Sequence, residues 1–183
     1  VEHAKSLGMG VIVTDHHELD ENNIPKCLFV NPKRPDCEYP FKELAGVGVV
    51  FKVLCALEAS IHSERSLYEN VKKIAREYGD LVAIGTIADV MPVKDENRPI
   101  VSYGLSLIDK TERPGLIELF KAVSADSKVV RKRKVTASFI GFTIAPKINA
   151  AGRIASASIA AEPSITFPTI GLTAVVPHNA IYI

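Results

Sequence analysis

The chain has 183 residues, 47% hydrophobic and 23% charged, enough for one ordinary domain core and too apolar for a disordered segment. Lys and Arg total 22 against 21 for Asp and Glu, so the net charge of +1 excludes both a uniformly basic nucleic-acid coat and an acidic tail. No apolar run is long enough to span a bilayer, and no membrane partner is expected.

The opening Val-Glu-His-Ala-Lys is not a signal peptide, which would place a basic segment before an apolar one. With no initiator Met, a piece of a longer protein is expected. Glu2–Leu7 reads as a helix end stopped at Gly8 or Gly10. Val11–Thr14 then reads as a buried parallel strand, three β-branched apolar residues running into Asp15, His16 and His17. In open α/β sheets ligands sit outside the carboxyl ends of the strands, so this triplet is delivered where such folds do chemistry. One imidazole can ligate a metal while the other contacts substrate or moves a proton; the alternative is a loop with two solvated histidines.

A polar loop, Asp20–Pro25, leads to a second short strand, Cys27–Val30, and a Pro-rich loop, Asn31–Pro40. Leu44–Ser60 is apolar almost all round and predicts a buried helix. Gly46 and Gly48 near its start fit either a phosphate on the helix N-terminus or simple turn and packing roles. Ser66 and Glu69 form a capping-box signal for a helix ending near Tyr78, and Asp80–Val90 predicts another. Asp80 after Gly79 could be the N-cap of that second helix. Asn97 opens a helix to about Asp109, and Pro114 opens one to about Ser124. Lys128–Lys134 holds five cations and no acid, suited to a phosphate-rich partner or to a solvated face. A helix from Thr136 to about Ala145 comes next. Ala155–Ile183 has one charge, Glu162, against three prolines and no period, and is expected to pack poorly or to be foreign to the parent protein. Cys27, Cys37 and Cys55 lack metal-site spacing, so reduced structural thiols in a cytoplasmic protein are expected.

Asp15-His16-His17 after a strand resembles the signature of the DHH phosphoesterase superfamily. Further stretches resemble its RecJ-type exonucleases: Asn31-Pro-Lys-Arg-Pro-Asp-Cys, Tyr39 to Lys52, Asp80-Leu-Val-Ala-Ile-Gly-Thr-Ile-Ala-Asp-Val-Met-Pro92, Asn97-Arg98, and Ile148-Asn-Ala-Ala-Gly-Arg153. The resemblance covers roughly Val1 to Ser158. It implies an α/β fold: a partial DHH domain over 1–110 with a parallel sheet flanked by helices, a helical segment over 111–158, and the atypical tail 159–183.

The resemblance also implies a two-metal phosphodiester hydrolase, with cations about 3.5–4 Å apart that activate water and stabilise the leaving oxygen. Carboxylate and imidazole donors favour Mn²⁺ or Mg²⁺ over a thiolate zinc site. By resemblance, His16 and Asp80 are metal ligands and His17 faces the scissile phosphate. Asp15 ligates weakly or orients an imidazole. Asp89, inside a helical pattern, reads as a buried hydrogen-bonding acid and is left out of the metal set. Asn149, Gly152 and Arg153 would grip nucleic acid, Arg153 bidentately, with Gly46 and Gly48 contributing backbone.

The family's other ligands come from Asp motifs upstream of the His-His strand, whereas the ten residues before Val11 hold one acid, Glu2. The implied whole is thus a 5′→3′ single-stranded-DNA exonuclease of DNA repair and recombination, working with replication or repair proteins, of which this chain carries part of the site. Its rivals are a superfamily phosphoesterase acting on short oligonucleotides, cyclic dinucleotides or pyrophosphate, and a non-catalytic nucleic-acid-binding relative.

Overall fold

The structure is a computed structural model that describes residues 1–20, 22, 24–126 and 134–154. The residues of the basic cluster before Lys134, and the tail 155–183, lie outside the described residues. The order of elements is α1 (Glu2–Ser6), β1 (Ile12–Thr14), β2 (Leu28–Val30), α2 (Gly46–Ile61), α3 (Leu67–Ala88), α4 (Asn97–Ile108), α5 (Pro114–Asp126), α6 (Ala137–Phe139), a π-helical turn (Ile140–Ile144) and α7 (Ala145–Ile154). This is the expected α/β arrangement with a helix-rich C-terminal half.

Helix α1 stops where Gly8 takes φ +75°, a conformation glycine enters without a Cβ clash. The two strands pair in parallel, Ile12 with Leu28, Val13 with Phe29 and Thr14 with Val30. The expectation of a fully buried strand is corrected here. Side chains alternate along a strand, and only the Val13–Phe29 side is covered among the described residues. Ile12 and Leu28 are exposed on the other face.

The larger correction concerns residues 67–88. Two helices were expected, broken near Gly79, but the chain forms one helix of 22 residues. Ser66 opens it as anticipated: its hydroxyl accepts from the Glu69 N–H, and the Glu69 carboxylate accepts from the Ser66 N–H at 3.0 Å. Gly79 is tolerated mid-helix because α4 crosses there. A methyl group added at Gly104 would overlap the Gly79 carbonyl oxygen and the Ala83 side chain. The two glycines let the helices approach closely, and α3 packs α2 on one flank and α4 on another.

One core cluster gathers Leu81, Ile84, Ile108, Leu116, Val123, Ile140 and Ile144. A second joins Phe51 and Cys55 of α2 to Ile74 and Val82 of α3. A third, Phe41, Leu44 and Val49, seats the start of α2. The π-helical turn precedes Pro146, which has no N–H to give the carbonyl four residues back; the widened turn accommodates it.

Substitutions at Gly104 and Val90 should move stability in opposite directions. Gly104→Ala forces a methyl into backbone and should cost about 2–3 kcal/mol, whereas Gly10→Ala, with open space around it, should be near neutral. Val90 is β-branched at φ +56° and exposed. Val90→Gly relieves that strain and should gain about 0.5–1 kcal/mol net of unfolded-state entropy. Urea denaturation of the three variants checks the signs.

Candidate metal and phosphate site

Strand β1 ends at Thr14, and the Asp15 N–H donates to the Val30 carbonyl at 2.9 Å, extending the pairing by one residue. The chain then turns about the Asp15 carboxylate. Its Oδ1 accepts from the backbone N–H of His16 at 2.7 Å and of His17 at 3.2 Å. The same oxygen lies 2.7 Å from His17 Nδ1. Burial works against the Asp15 charge, but the His17 ring and these two N–H groups hold its carboxyl below the usual range. Asp15 thus orients the His17 imidazole through Nδ1 and leaves Nε2 facing outward on a half-exposed ring. The His16 and His17 rings lie 4.4 Å apart, centroid to centroid.

His16 is turned inward. Its ring lies beside Gly46, the first residue of α2, and its Nε2 is 3.3 Å from Asp89 Oδ2. Burial lowers the His16 pKa, Asp89 opposes that effect, and the neighbouring His17 adds to it. Neutral imidazole is the form that ligates metals. Asp89 Oδ2 is a buried oxygen with no hydrogen-bond partner, since its approach to His16 is an ion-pair contact rather than a directed bond.

Asp15, His16 and His17 can each offer a ligand atom within 4.8 Å of one another. With the Asp89 oxygen against His16, the donor set is oxygen and imidazole nitrogen without sulfur. That set fits a hard or borderline divalent cation such as Mn²⁺ or Mg²⁺.

The structure does not bring Asp80 to this cluster. Asp80 is buried in the middle of α3, where its Oδ2 accepts from Arg113 Nε at 2.7 Å. Arg113 also donates to the Glu77 carbonyl. Nine residues of helix separate Asp80 from Asp89, about 13 Å of rise and half a turn out of phase, so the two carboxylates point to opposite faces. Asp80 is neither an N-cap nor beside His16. Asp89, omitted from the expected metal set, is the acid of the C-terminal end of α3 that lies against His16.

A local signal for Asp89 did exist. An acid at the C-terminal end of a helix opposes the macrodipole, and without a nearby base it is a conflict that calls for another explanation.

Gly46 lies beside the His16 ring, whereas Gly48 is buried against Leu44, in the packing role that the sequence left open for both glycines. Asn149, Gly152 and Arg153 fall within α7. Gly152 is inside that helix rather than beyond its end. The helix packs against α3. Cys27, Cys37 and Cys55 are unbridged, and burial raises the Cys55 thiol pKa.

Comparisons with known proteins bear on this geometry. Residues 1–86 match the DHH family, N-terminal domain. The chain is 44% identical over 154 residues to the single-stranded-DNA-specific exonuclease RecJ of Bacillus subtilis (strain 168), covering 84% of this chain and 17% of that protein. It is 40% identical over 163 residues to the RecJ of Escherichia coli (strain K12), covering 87% of this chain and 27% of that protein. The chain therefore spans about a quarter or less of the length of these curated relatives.

Among solved structures, it is similar to an exonuclease RecJ bound to manganese, with TM-score 0.65 and 36% identity, covering 87% of this chain and 37% of that one. It is also similar to the RecJ of Thermus thermophilus in complex with Mn²⁺, with TM-score 0.66 and 36% identity, covering 87% of this chain and 22% of that one.

Two outcomes are expected at this site. Asp80→Ala leaves Arg113 without its partner in a largely buried pair and should cost about 3 kcal/mol in urea denaturation. On acidification, the unfolded chain binds a proton at His16 that the folded chain resists. The His16 contribution to stability is therefore full above the ordinary imidazole value of about 6.5 and is lost as pH falls from there through the lower folded value. His16→Gln should flatten the stability–pH curve in that window, measured by urea titrations at a series of pH values.

Proposed function

From the match of residues 1–86 to the DHH family, N-terminal domain, we propose that the chain is a segment of a metal-dependent, single-strand-specific 5′→3′ DNA exonuclease of the RecJ type. The observation that carries the reading is the cluster of Asp15, His16 and His17 within ligand distance of one another, with the unpartnered Asp89 oxygen 3.3 Å from His16. The similarity to RecJ proteins over most of the chain supports the same substrate class in preference to short oligonucleotides or pyrophosphate. Intact histidines beside two acids favour a hydrolase over a non-catalytic relative.

Among the described residues, His16 and Asp89 would hold a Mn²⁺ or Mg²⁺ ion, and Asp15 contributes its free oxygen. A bound divalent cation supplies Lewis-acid activation of water and neutralises phosphate charge. His17, held by Asp15 through its Nδ1–H, directs Nε2 at the scissile phosphate, and in the imidazolium form that nitrogen donates to the oxygen on which charge develops. The start of α2 at Gly46 gives the phosphate backbone N–H groups beside that ring. Arg153 and Asn149 on α7 serve the DNA backbone. In this reading Asp80 is a structural acid that locks α3 to Arg113. The parent protein works in the cytoplasm in DNA repair and recombination, on single-stranded DNA and alongside replication or repair proteins.

Calorimetric titration with Mn²⁺ tests the ligand set. His16→Ala and Asp89→Ala should each weaken binding by roughly 10-fold or more, while His17→Ala and Asp80→Asn leave it nearly unchanged. Loss of binding in Asp80→Asn with retention in Asp89→Ala would reverse the assignment. In the full-length protein, His17→Ala should lower turnover on 5′-labelled single strands by roughly 10²–10³, and dinucleotides should be poor substrates. The isolated chain, carrying one part of a two-metal site, should show little nuclease activity.

A further inference from the structure

We propose that Asn31 is a positioning residue for the His17 imidazole, an inference that rests on the role given to His17 above. Asn31 follows β2 directly and is 2% exposed. Its Nδ2 donates to the His17 carbonyl at 2.9 Å, and its Oδ1 accepts from the Lys33 N–H at 2.8 Å. Both ends of the amide are used, and only one orientation satisfies them, since a flipped amide would oppose carbonyl to carbonyl and N–H to N–H. The side chain is therefore a clamp of defined polarity across 14 residues of chain.

The turn that carries the histidines is pinned at two points. The Val30 carbonyl holds its start through the Asp15 N–H. Asn31, the next residue along β2, holds its end through the His17 carbonyl. Between them, the Asp15–His17 contact is partly open to water, with side chains 29% and 48% exposed. A solvated contact of that kind is weak by itself. It keeps one geometry because the His17 backbone cannot move.

The other link across this turn, Lys33 to Glu18 at 2.9 Å, uses an almost fully exposed carboxylate and cannot replace a buried amide. Removing the Asn31 donor therefore releases the ring that Asp15 orients, while His16, held by α2 and Asp89 on its other side, stays in place.

The test uses the full chain with Asn31→Asp, which keeps the acceptor for Lys33 and removes the donor to His17. Asn70→Asp is the control. It removes an equally buried donor, here to the His62 carbonyl at 3.2 Å, far along the chain from the histidines. Long-range ¹⁵N–¹H spectra at about pH 8, above the imidazole range, report the ring tautomer. Wild type and Asn70→Asp should show His17 as the single Nδ1–H tautomer, and Asn31→Asp a mixture of the two.

Asn31→Ser, which adds no charge, should give the same mixture and decides the matter if the aspartate variant fails to fold. Mn²⁺ affinity in either Asn31 variant should stay near wild type. In the full-length protein, Asn31→Ser should lower kcat by roughly 10–100-fold with KM nearly unchanged. An Asn31→Ser chain that keeps the single wild-type tautomer overturns the proposal. Full kcat in His17→Ala would instead overturn the reading beneath it, whatever the tautomer result.

Discussion

The close crossing of α3 and α4 at Gly79 and Gly104 is the constraint on which the rest of the molecule depends. Each glycine costs about 1 kcal/mol relative to alanine in a helix interior. The packing they permit offsets that cost, because Leu81, Ile84, Val101 and Ile108 are all buried around the crossing. With Gly79 accommodated, α3 runs unbroken to Ala88 and carries Asp89 out at its end. Asn97 then ties the segment after Asp89 to the loop before α2: its Nδ2 donates to the Glu43 carbonyl at 2.7 Å and to the Pro92 carbonyl at 3.0 Å. Glu43 leads into the start of α2, which faces His16, and Pro92 lies just past Asp89. The distance between His16 and Asp89 is thus set by helix packing and one buried amide.

Three local rules are broken at this one corner. Asp89 places negative charge at the negative end of a helix. Val90 holds a β-branched side chain at φ +56°, in a helix-ending turn where its N–H donates to Ile87 and the Met91 N–H to Thr86. Asp89 Oδ2 is buried without a hydrogen bond. Each is a cost that stability alone would remove, and strain of this kind concentrates where a protein binds or reacts. The Asp80–Arg113 pair one face away is the opposite case: two partners, good geometry and an evident structural purpose. Burial by itself does not separate these two acids. What separates them is whether the carboxylate is already satisfied.

Much of the fold was legible because its signals are local. The capping box at Ser66 and Glu69, the helix starts at Asn97 and Pro114, the glycine stop after α1 and the apolar strand before Asp15 are each decided by a few neighbouring residues. The chemistry at Asp15, His16 and His17 was legible for the same reason: three consecutive residues at a strand end need no long-range contact to share a site. Among the more distant residues, Gly46 stands beside His16, Gly48 packs on Leu44 and Asp80 pairs with Arg113.

What only the tertiary structure decided is which distant groups meet. Gly79 reads as a helix break until Gly104 is packed on it, and the meeting of Asp89 with His16 follows only from the unbroken helix. Gly48 reads like Gly46 until Leu44 is found against it. Asn31 carries no local signal for its hold on His17, because that bond spans 14 residues. The physical reason is common to all three. Propensity, capping and periodicity act within a turn or two of backbone and are written into consecutive residues. The meeting of a helix end with a strand end is fixed by the packing of whole elements, and no short stretch of sequence contains it.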